Sequence, residues 1–249
     1  MMLRYETQHP EPEAMTTSAS QHLLGEPVDF SSSPLPRRVT FEARTISLVP
    51  LDALEHLNSL WAATGGPQNE HLWTYMFEDP FQNRASFEAY LQRKEESDDP
   101  LYYSIVDKTS GDAVGWAAYM RMDPLQRVIE VGSIMFSPRL QRTIGATEAM
   151  YIMAKHAFED MNYRRYEWKC DALNMPSRRA ALRLGFTYEG LFRQHMVVKR
   201  RNRDTAWYSM LDSEWPARKR ALEQWLDPAN FDANGKQRMS LSELNHVKL

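Results

Sequence analysis

The sequence predicts an α/β fold of the α+β type, in which helices flank a mixed, mostly antiparallel sheet. Three strand patterns follow each other closely at residues 102–107, 113–120 and 128–136, which favours antiparallel pairing. Helix and strand patterns then alternate over residues 145–161, 165–171, 174–184, 186–198 and 205–211. The predicted order is strand, two helices, three strands, helix, strand, helix and two strands.

The first part of the chain is predicted to be a disordered extension. Residues 1–38 have few large apolar side chains, a run of serines at 31–33, and prolines at Pro10, Pro12, Pro27, Pro34 and Pro36. The alternative of a mitochondrial presequence is opposed by Glu6, Glu11 and Glu13, because such sequences are poor in acidic residues. We expect one domain over residues 39–215, then a C-terminal helix and a loose polar tail over residues 216–249.

The elements of the domain are predicted from periodicity and caps. Apolar residues alternate over residues 39–45, which predicts a half-buried strand. Asp52 is predicted to cap a helix that ends at Gly65, and Ser86 to cap a second helix that ends in the charged residues 93–99. The strict alternation of residues 165–171 predicts a strand. Gly185 marks the end of the predicted helix at residues 174–184, and Pro216 marks the start of a terminal helix.

The composition excludes several classes of protein. With 249 residues, 43% of them hydrophobic, the chain can fill a substantial core. The formal net charge of -3 disfavours a nucleic-acid-binding protein. Cys170 is the single cysteine, so we expect no intramolecular disulfide, no metal site and a reducing, cytoplasmic location. No apolar segment approaches the ~20 residues of a membrane span, so no membrane association is expected.

A ligand site is predicted where the strand at residues 128–136 leads into the helix at residues 145–161. A helix N-terminus offers unpaired N–H groups and partial positive charge, and Arg139 and Arg142 lie beside it. A phosphate group would be bound well there. The segment is neither a P-loop nor a dinucleotide fingerprint. The alternative is a capped helix with solvated arginines.

Two segments of the chain resemble the GNAT N-acetyltransferase superfamily. They are LQRTIGATEA at residues 140–149 and NMPSRRAALRLGFTYEG at residues 174–190. The resemblance covers roughly residues 39–215 and is closest to the RimJ/RimL-like branch, which includes ribosomal-protein N-terminal acetyltransferases. It implies the GNAT fold, in which two central parallel strands, here residues 128–136 and 165–171, splay apart. It also implies acetyl-CoA as co-substrate, with the pantetheine arm in the gap between those strands.

The resemblance also implies which residues bind the cofactor. Backbone N–H groups of the loop and the first helical turn would bind its pyrophosphate: Gln141, Arg142, Thr143, Ile144, Gly145, Ala146 and Thr147. Asn174 would contact the cofactor arm while also capping its helix. Backbone N–H groups near Phe136 would stabilise the oxyanion.

Two residues are implied in catalysis. Acetyl transfer needs a neutral amine, so a base must take a proton, and Glu130 is the first candidate. The alternative for Glu130 is an exposed carboxylate or an ion pair, and Asp171 is a second candidate base. The tyrosine that many family members use to protonate the thiolate is replaced by Ala181. Ser177 is instead expected to hydrogen-bond the sulfur, with helix capping as its alternative role.

Three further groups of residues have two interpretations each. Cys170 and His195 suit a hydrolase dyad, although a packed cysteine fits the pattern better. The basic stretch at residues 199–203 fits a solvated hairpin tip, or a site for an acidic substrate or the adenosine 3′-phosphate. The aromatic and sulfur-containing residues near the first helices fit an acceptor pocket or core packing: Trp73, Tyr75, Met76 and Phe77.

The function expected is an N-acetyltransferase that moves the acetyl group from acetyl-CoA to a primary amine by direct attack. The acceptor is a small-molecule amine or a protein N-terminus, and the slight negative charge equally suits a cationic amine. Two alternatives stay open: a non-catalytic acyl-CoA-binding scaffold, and an acyltransferase with another donor such as succinyl-CoA. The expected partners are acyl-CoA and the amine, and a homodimer is left open.

Overall fold

The computed structural model describes residues 24–246. Residues 1–23 of the predicted disordered extension therefore lie outside the described residues. Residues 24–40 contain no helix or strand. All helices and strands described below fall between residues 41 and 246.

One eight-stranded sheet organises the chain. Its strands are β1 Phe41–Glu42, β2 Ile46–Pro50, β3 Leu101–Asp107, β4 Ala113–Asp123, β5 Val128–Phe136, β6 Arg165–Asp171, β7 Thr187–Val198 and β8 Arg201–Leu211. Their order across the sheet is β1-β2-β3-β4-β5-β6-β8-β7. Only the central pair β5 and β6 is parallel, and every other neighbouring pair is antiparallel. The predicted mixed, mostly antiparallel fold is confirmed.

In the part of the chain that the structure describes, six α-helices cover the two faces of this sheet. They are α1 Ala53–Thr64, α2 Arg84–Glu95, α3 Ile144–Lys155, α4 Met175–Leu184, α5 Trp215–Leu226 and α6 Leu241–His246. A 3-10 helix, Pro67–Trp73, follows α1. Asp52 caps α1 as predicted. The prediction that Ser86 caps α2 is wrong, because Asn83 adopts the extended cap conformation and its side chain accepts the N–H of Ser86.

The first predicted strand is wrong in extent. Residues 39–45 do not form one strand, because the chain reverses after β1 and the Ala43 N–H donates to the carbonyl of Ile46. The strand that reaches the core is β2, in which Ile46 and Leu48 are buried. The sequence prediction missed β2.

The core has one layer on each face of the sheet. Aromatic residues under α1 and α2 form the first layer: Trp73, Phe81, Phe87, Tyr90 and Trp116. The second layer, under α3 to α6, includes Met150, Met153, Tyr166, Phe186 and Trp225.

The expectation of a loose tail after Asp227 is wrong for the described residues. Leu241 and Leu244 of α6 are buried in the second core layer. The Asn245 side chain donates to the carbonyl of Arg183, and Arg218 donates to the carbonyl of Asn245.

A bulge in β5 opens the centre of the sheet. The register of β5 with β4 shifts between Gly132 and Met135, and Ser133 adopts a left-handed φ of 48°. β5 pairs with β6 only at Val128, Ile129 and Glu130. Because a bulge bends its strand and adds local twist, the two parallel strands part after Glu130. The expected splay is therefore present.

Candidate functional site

A cavity of about 120 Å³ lies where β5 and β6 part. Its walls come from β4, β5, β6, α4, the β7–β8 hairpin and the segment that follows the 3-10 helix. Beyond Glu130 the backbone of β5 has no β6 partner. Backbone polar groups inside a protein are costly when unpaired, so this edge is suited to an extended ligand that supplies hydrogen bonds.

Glu130 lies in this cavity and is 4% exposed. Its Oε2 is 2.9 Å from Lys169 Nζ and 3.4 Å from Arg121 Nε. Burial raises the pKa of Glu130 above its ordinary value, and the charges of Lys169 and Arg121 act against that rise. Glu130 is therefore a buried member of an ion-pair cluster that lines the cavity, and not an exposed carboxylate.

Lys169 links Glu130 to a second carboxylate. Its Nζ lies 2.6 Å from Glu167 Oε2 and 3.9 Å from the ring centroid of Trp207. Glu167 in turn accepts a hydrogen bond from Arg165 at 2.6 Å. The ammonium group therefore separates two buried carboxylates that would otherwise repel each other.

Ser177 and Asn174 lie at the start of α4 and line the cavity. Asn174 caps the helix, as its Oδ1 accepts the N–H of Ser177 at 3.1 Å. Ser177 Oγ accepts a hydrogen bond from Trp168 Nε1 at 3.0 Å. Because an indole N–H can only donate, this bond leaves the serine hydroxyl able to donate to another group.

The loop before α3 is built around its cap. Thr143 Oγ1 accepts the N–H of Ala146 at 3.2 Å, and Gln141 Nε2 donates to the Phe136 carbonyl at 2.8 Å. Arg142 adopts a left-handed φ of 63°. The first N–H groups of a helix lack intrahelical acceptors, so Ile144 is well placed to donate to an anion.

Packing explains the remaining positions of this loop. A Cβ on Gly145 would lie 2.7 Å from Ile46 Cγ2, so only glycine lets α3 approach β2 this closely. Thr147 is buried, and its hydroxyl accepts a hydrogen bond from Arg183 at 3.1 Å. Arg139, expected to add charge beside the helix, instead pairs with Asp112 at 2.7 Å.

The structure separates the alternatives for the other predicted residues. Cys170 is 5% exposed, and burial raises the pKa of its thiol, which opposes a nucleophilic thiolate. His195 Nδ1 lies 2.9 Å from Thr205 Oγ1. Trp73 belongs to the core, whereas the residues after it line the cavity: Tyr75, Met76 and Phe77.

The basic stretch divides into two parts. Arg200 and Arg201 are exposed, as expected of a hairpin tip. Lys199 Nζ donates to the carbonyl of Trp73 at 2.7 Å, and Arg203 is buried in the cavity wall. Sequence reasoning did not assign Arg121 or Lys169 to the site, because their position depends on which strands are neighbours.

Residues 24–246 contain neither a membrane-spanning helix nor a cluster of metal-binding side chains. No helix there combines the length and apolar character needed to cross a bilayer. Within the same range, no three His, Cys, Asp or Glu side chains come together in a way that could hold a metal ion.

A larger cavity of about 690 Å³ beside β2 and α1 contains none of the predicted site residues.

Comparison with known proteins gives consistent results. A family model described as an acetyltransferase (GNAT) domain matches residues 46–187. A GCN5-related N-acetyltransferase from Brucella melitensis is 48% identical, with a TM-score of 0.86 over 88% of this chain and 99% of that one. A GNAT-family structure from Chromobacterium violaceum ATCC 12472 is 38% identical, with a TM-score of 0.73 over 79% of this chain and 98% of that one.

More distant similarity concerns the fold alone. A ribosomal-protein-S5-alanine acetyltransferase from Vibrio fischeri is 16% identical, with a TM-score of 0.58 over 71% of this chain and 98% of that one. No curated protein matches the chain.

Proposed function

This chain belongs to the GNAT acetyltransferase family, and on that premise we propose that it moves an acetyl group from acetyl-CoA to a primary amine by direct attack. The observation that carries the proposal is the gap between β5 and β6, which opens beside Glu130 and Ser177. Acetyl-CoA supplies an activated thioester. Residues of the chain bind the thioester, exclude water, accept the proton of the amine and stabilise the departing thiolate.

The residues present fit an acyl-CoA molecule. The backbone edge of β5 after Glu130, which has no β6 partner, suits the amide groups of an extended pantetheine arm. The N-terminus of α3, at Ile144 and Gly145, suits the pyrophosphate. Asn174 keeps its side-chain amide N–H groups for the arm while its oxygen caps α4.

Glu130 is the proposed general base. An alkyl amine has an ordinary pKa of about 10.4, so the attacking nitrogen must lose a proton before or during bond formation. Burial raises the pKa of Glu130, which makes the carboxylate a better proton acceptor near neutral pH. Lys169 and Arg121 favour its ionised form, in which it can accept the proton directly or through one water.

Ser177 is proposed to hydrogen-bond the departing sulfur. Its oxygen accepts from Trp168, so its hydrogen can be donated into the cavity. A neutral serine is a poor acid, so this bond stabilises the thiolate rather than protonating it. The buried Ala181 offers no acidic side chain for this step.

The sequence motifs and the single cysteine support a branch of the family, an acceptor class and a cellular location. The motif at residues 174–190 supports a place in the RimJ/RimL-like branch, and hence a protein N-terminus or a small amine as acceptor. The single buried thiol, Cys170, supports work in the reducing cytoplasm.

A binding and turnover experiment tests the proposal. Calorimetry measures binding of acetyl-CoA and succinyl-CoA, and a free-thiol assay measures CoA release across a panel of amines. Release from acetyl-CoA that depends on an amine supports the transferase. Binding without turnover would favour the scaffold, and amine-dependent release from succinyl-CoA alone would assign another donor. If neither thioester binds, all three hypotheses would be overturned: the acetyltransferase, the acyl-CoA-binding scaffold and the acyltransferase with another donor.

A further inference from the structure

Arg203 is a buried cation with no carboxylate of residues 24–246 at ion-pair distance. Its side chain lines the cavity, and the residue is 8% exposed. Its Nε is buried without a hydrogen-bond partner, and no carboxylate of residues 24–246 forms an ion pair with it. Burial lowers the pKa of Arg203. The ring centroid of Phe77 lies 5.0 Å from Cζ, and the carboxylates of Asp171 and Glu130 attract the guanidinium from beyond ion-pair distance.

The lysine and the other arginine of the cavity are already paired with a carboxylate. Arg121 and Lys169 both contact Glu130. Asp171 accepts the backbone N–H of Leu173 at 2.9 Å. The cavity wall therefore carries one positive charge, on Arg203, that has no ion-pair partner in the described chain.

The position of Arg203 separates it from the proposed cofactor sites. Asp171 of β6 lies opposite Thr205 of β8 in the strand register. Arg203 lies two residues before Thr205 on β8. Side chains two apart on a strand share a face, so Arg203 lies with Lys169 and Asp171 on the face opposite α3 and α4. The proposed pyrophosphate site at the start of α3 is on the other face, so Arg203 is available to the acceptor.

We propose that the acceptor is a small amine that also carries a carboxylate, and that Arg203 binds this carboxylate. The inference rests on the proposed function, in which Glu130 receives the proton of the same molecule. A planar guanidinium matches a carboxylate with two parallel hydrogen bonds, and burial strengthens that interaction. A guanidinium in the cavity wall with no carboxylate at ion-pair distance suits one negative charge on a ligand.

The segment that follows the 3-10 helix and lines the cavity also favours a small acceptor. The Tyr75 hydroxyl donates to the Leu173 carbonyl at 3.0 Å, and Lys199 donates to the Trp73 carbonyl at 2.7 Å. These bonds hold the segment after the 3-10 helix over the site. A peptide N-terminus, in contrast, presents an amide where an amino acid presents its carboxylate.

Matched acceptors test the proposal in the full-length protein. The panel contains free amino acids, their carboxamides, the corresponding amines without the carboxyl group, and short peptides with an acidic second residue. We expect kcat/KM for the amino acids to exceed that for the carboxamides at least tenfold, and Arg203→Gln to abolish this preference. Arg201→Gln, an exposed arginine on the same strand, is the control and should keep it.

Several results would overturn the inference. One is equal kcat/KM for amino acids and their carboxamides, and another is a higher kcat/KM for diamines or peptides. A third is a loss of kcat/KM in Arg203→Gln that is the same for every acceptor. Thermal melting and acetyl-CoA binding of Arg203→Gln establish that the variant is folded. If it does not fold, Arg203→Lys replaces it, because lysine keeps the charge but loses the bidentate geometry, and should weaken the preference.

A binding experiment separates this inference from the proposed function. Calorimetry in the presence of CoA compares an N-acetyl amino acid with its carboxamide, in wild type and in Arg203→Gln. Tighter binding of the carboxylate form that requires Arg203 supports the inference even if no amine is acetylated. Turnover of amines without any carboxylate preference would overturn the inference and leave the transferase intact.

Discussion

The carboxylate of Glu130 lies 2.9 Å from the ammonium of Lys169 at the point where β5 and β6 separate. Both side chains are almost fully buried, so neither charge is screened by bulk water. Lys169 is shared with Glu167, which lies directly across from Glu130 in the short parallel pairing. The protonation of the proposed base therefore depends on a lysine that belongs to the neighbouring strand.

Glu130→Gln should reduce kcat by about 10²- to 10⁴-fold, the usual contribution of a general base. Wild-type kcat/KM should rise with pH along an acidic limb, because the carboxylate must be ionised to accept a proton. The midpoint of that limb should lie at a pH above the ordinary pKa of a glutamate, since burial raises the pKa of Glu130. The variant should lose the limb and bind acetyl-CoA as wild type does, as measured by pH–rate profiles and calorimetry.

A matched control for Glu130→Gln is Glu189→Gln. Glu189 pairs with Arg165 outside the cavity, so its loss should lower the melting temperature and leave the acidic limb unchanged. If Glu130→Gln matches wild type in both turnover and pH profile, Glu130 is not the base.

Lys169→Met should move the acidic limb of kcat/KM to higher pH. Without the ammonium, Glu130 and Glu167 face each other as buried like charges, and one carboxyl of such a pair is protonated more readily. We expect a shift of about one pH unit or more. The measurement is the same pH–rate profile, and an unshifted limb would mean that Lys169 does not control the base.

Ser177→Ala should lower kcat roughly tenfold, in line with the loss of one hydrogen bond to a developing charge. The KM for acetyl-CoA should change little, because Asn174, the β5 backbone and the start of α3 are retained. Trp168→Phe removes the donor that orients Ser177 and should give a smaller loss of kcat. A thiol-release assay measures both, and a rise in KM alone would assign Ser177 to binding instead.

The sequence predicted the centre of the fold better than its edges. β5 and β6 were predicted with their observed bounds, because strong alternation or an apolar run between turns defines them locally. β2 was missed because its side chains are core-facing only after the chain reverses at Ala43. α6 was missed because its two buried leucines lie in an otherwise polar segment.

The site depended more strongly on contacts between distant residues. Nothing local to Ser133 indicates a left-handed conformation, yet the bulge there opens the gap. Arg203 belongs to a basic run typical of an exposed turn, and it is buried because β8 lies beside β6. Such placements follow from the order of strands, which periodicity does not specify.

The bulge is also contacted by an unusual lysine. Lys94 of α2 is 5% exposed, and its Nζ lies 3.7 Å from the ring centroid of Tyr102 and 4.4 Å from that of Tyr90. The same Nζ is 3.4 Å from Ser133 Oγ. Burial lowers the pKa of Lys94 to about 7, with the nearby Arg93 lowering it further and Glu78 acting in the opposite direction.

Lys94 should therefore contribute a component of the free energy of unfolding that increases as pH rises from about 7 to 9. In that range the unfolded chain keeps a proton on Lys94 that the folded protein has released, so the free energy of unfolding increases with pH, by at most ~1.4 kcal/mol per pH unit. Urea denaturation at pH 7, 8 and 9 measures this slope. Lys94→Met should remove this component of the slope, and Lys155→Met, an exposed lysine at the end of α3, should retain it. Identical slopes in wild type and Lys94→Met would show that Lys94 titrates alike in the folded and unfolded protein.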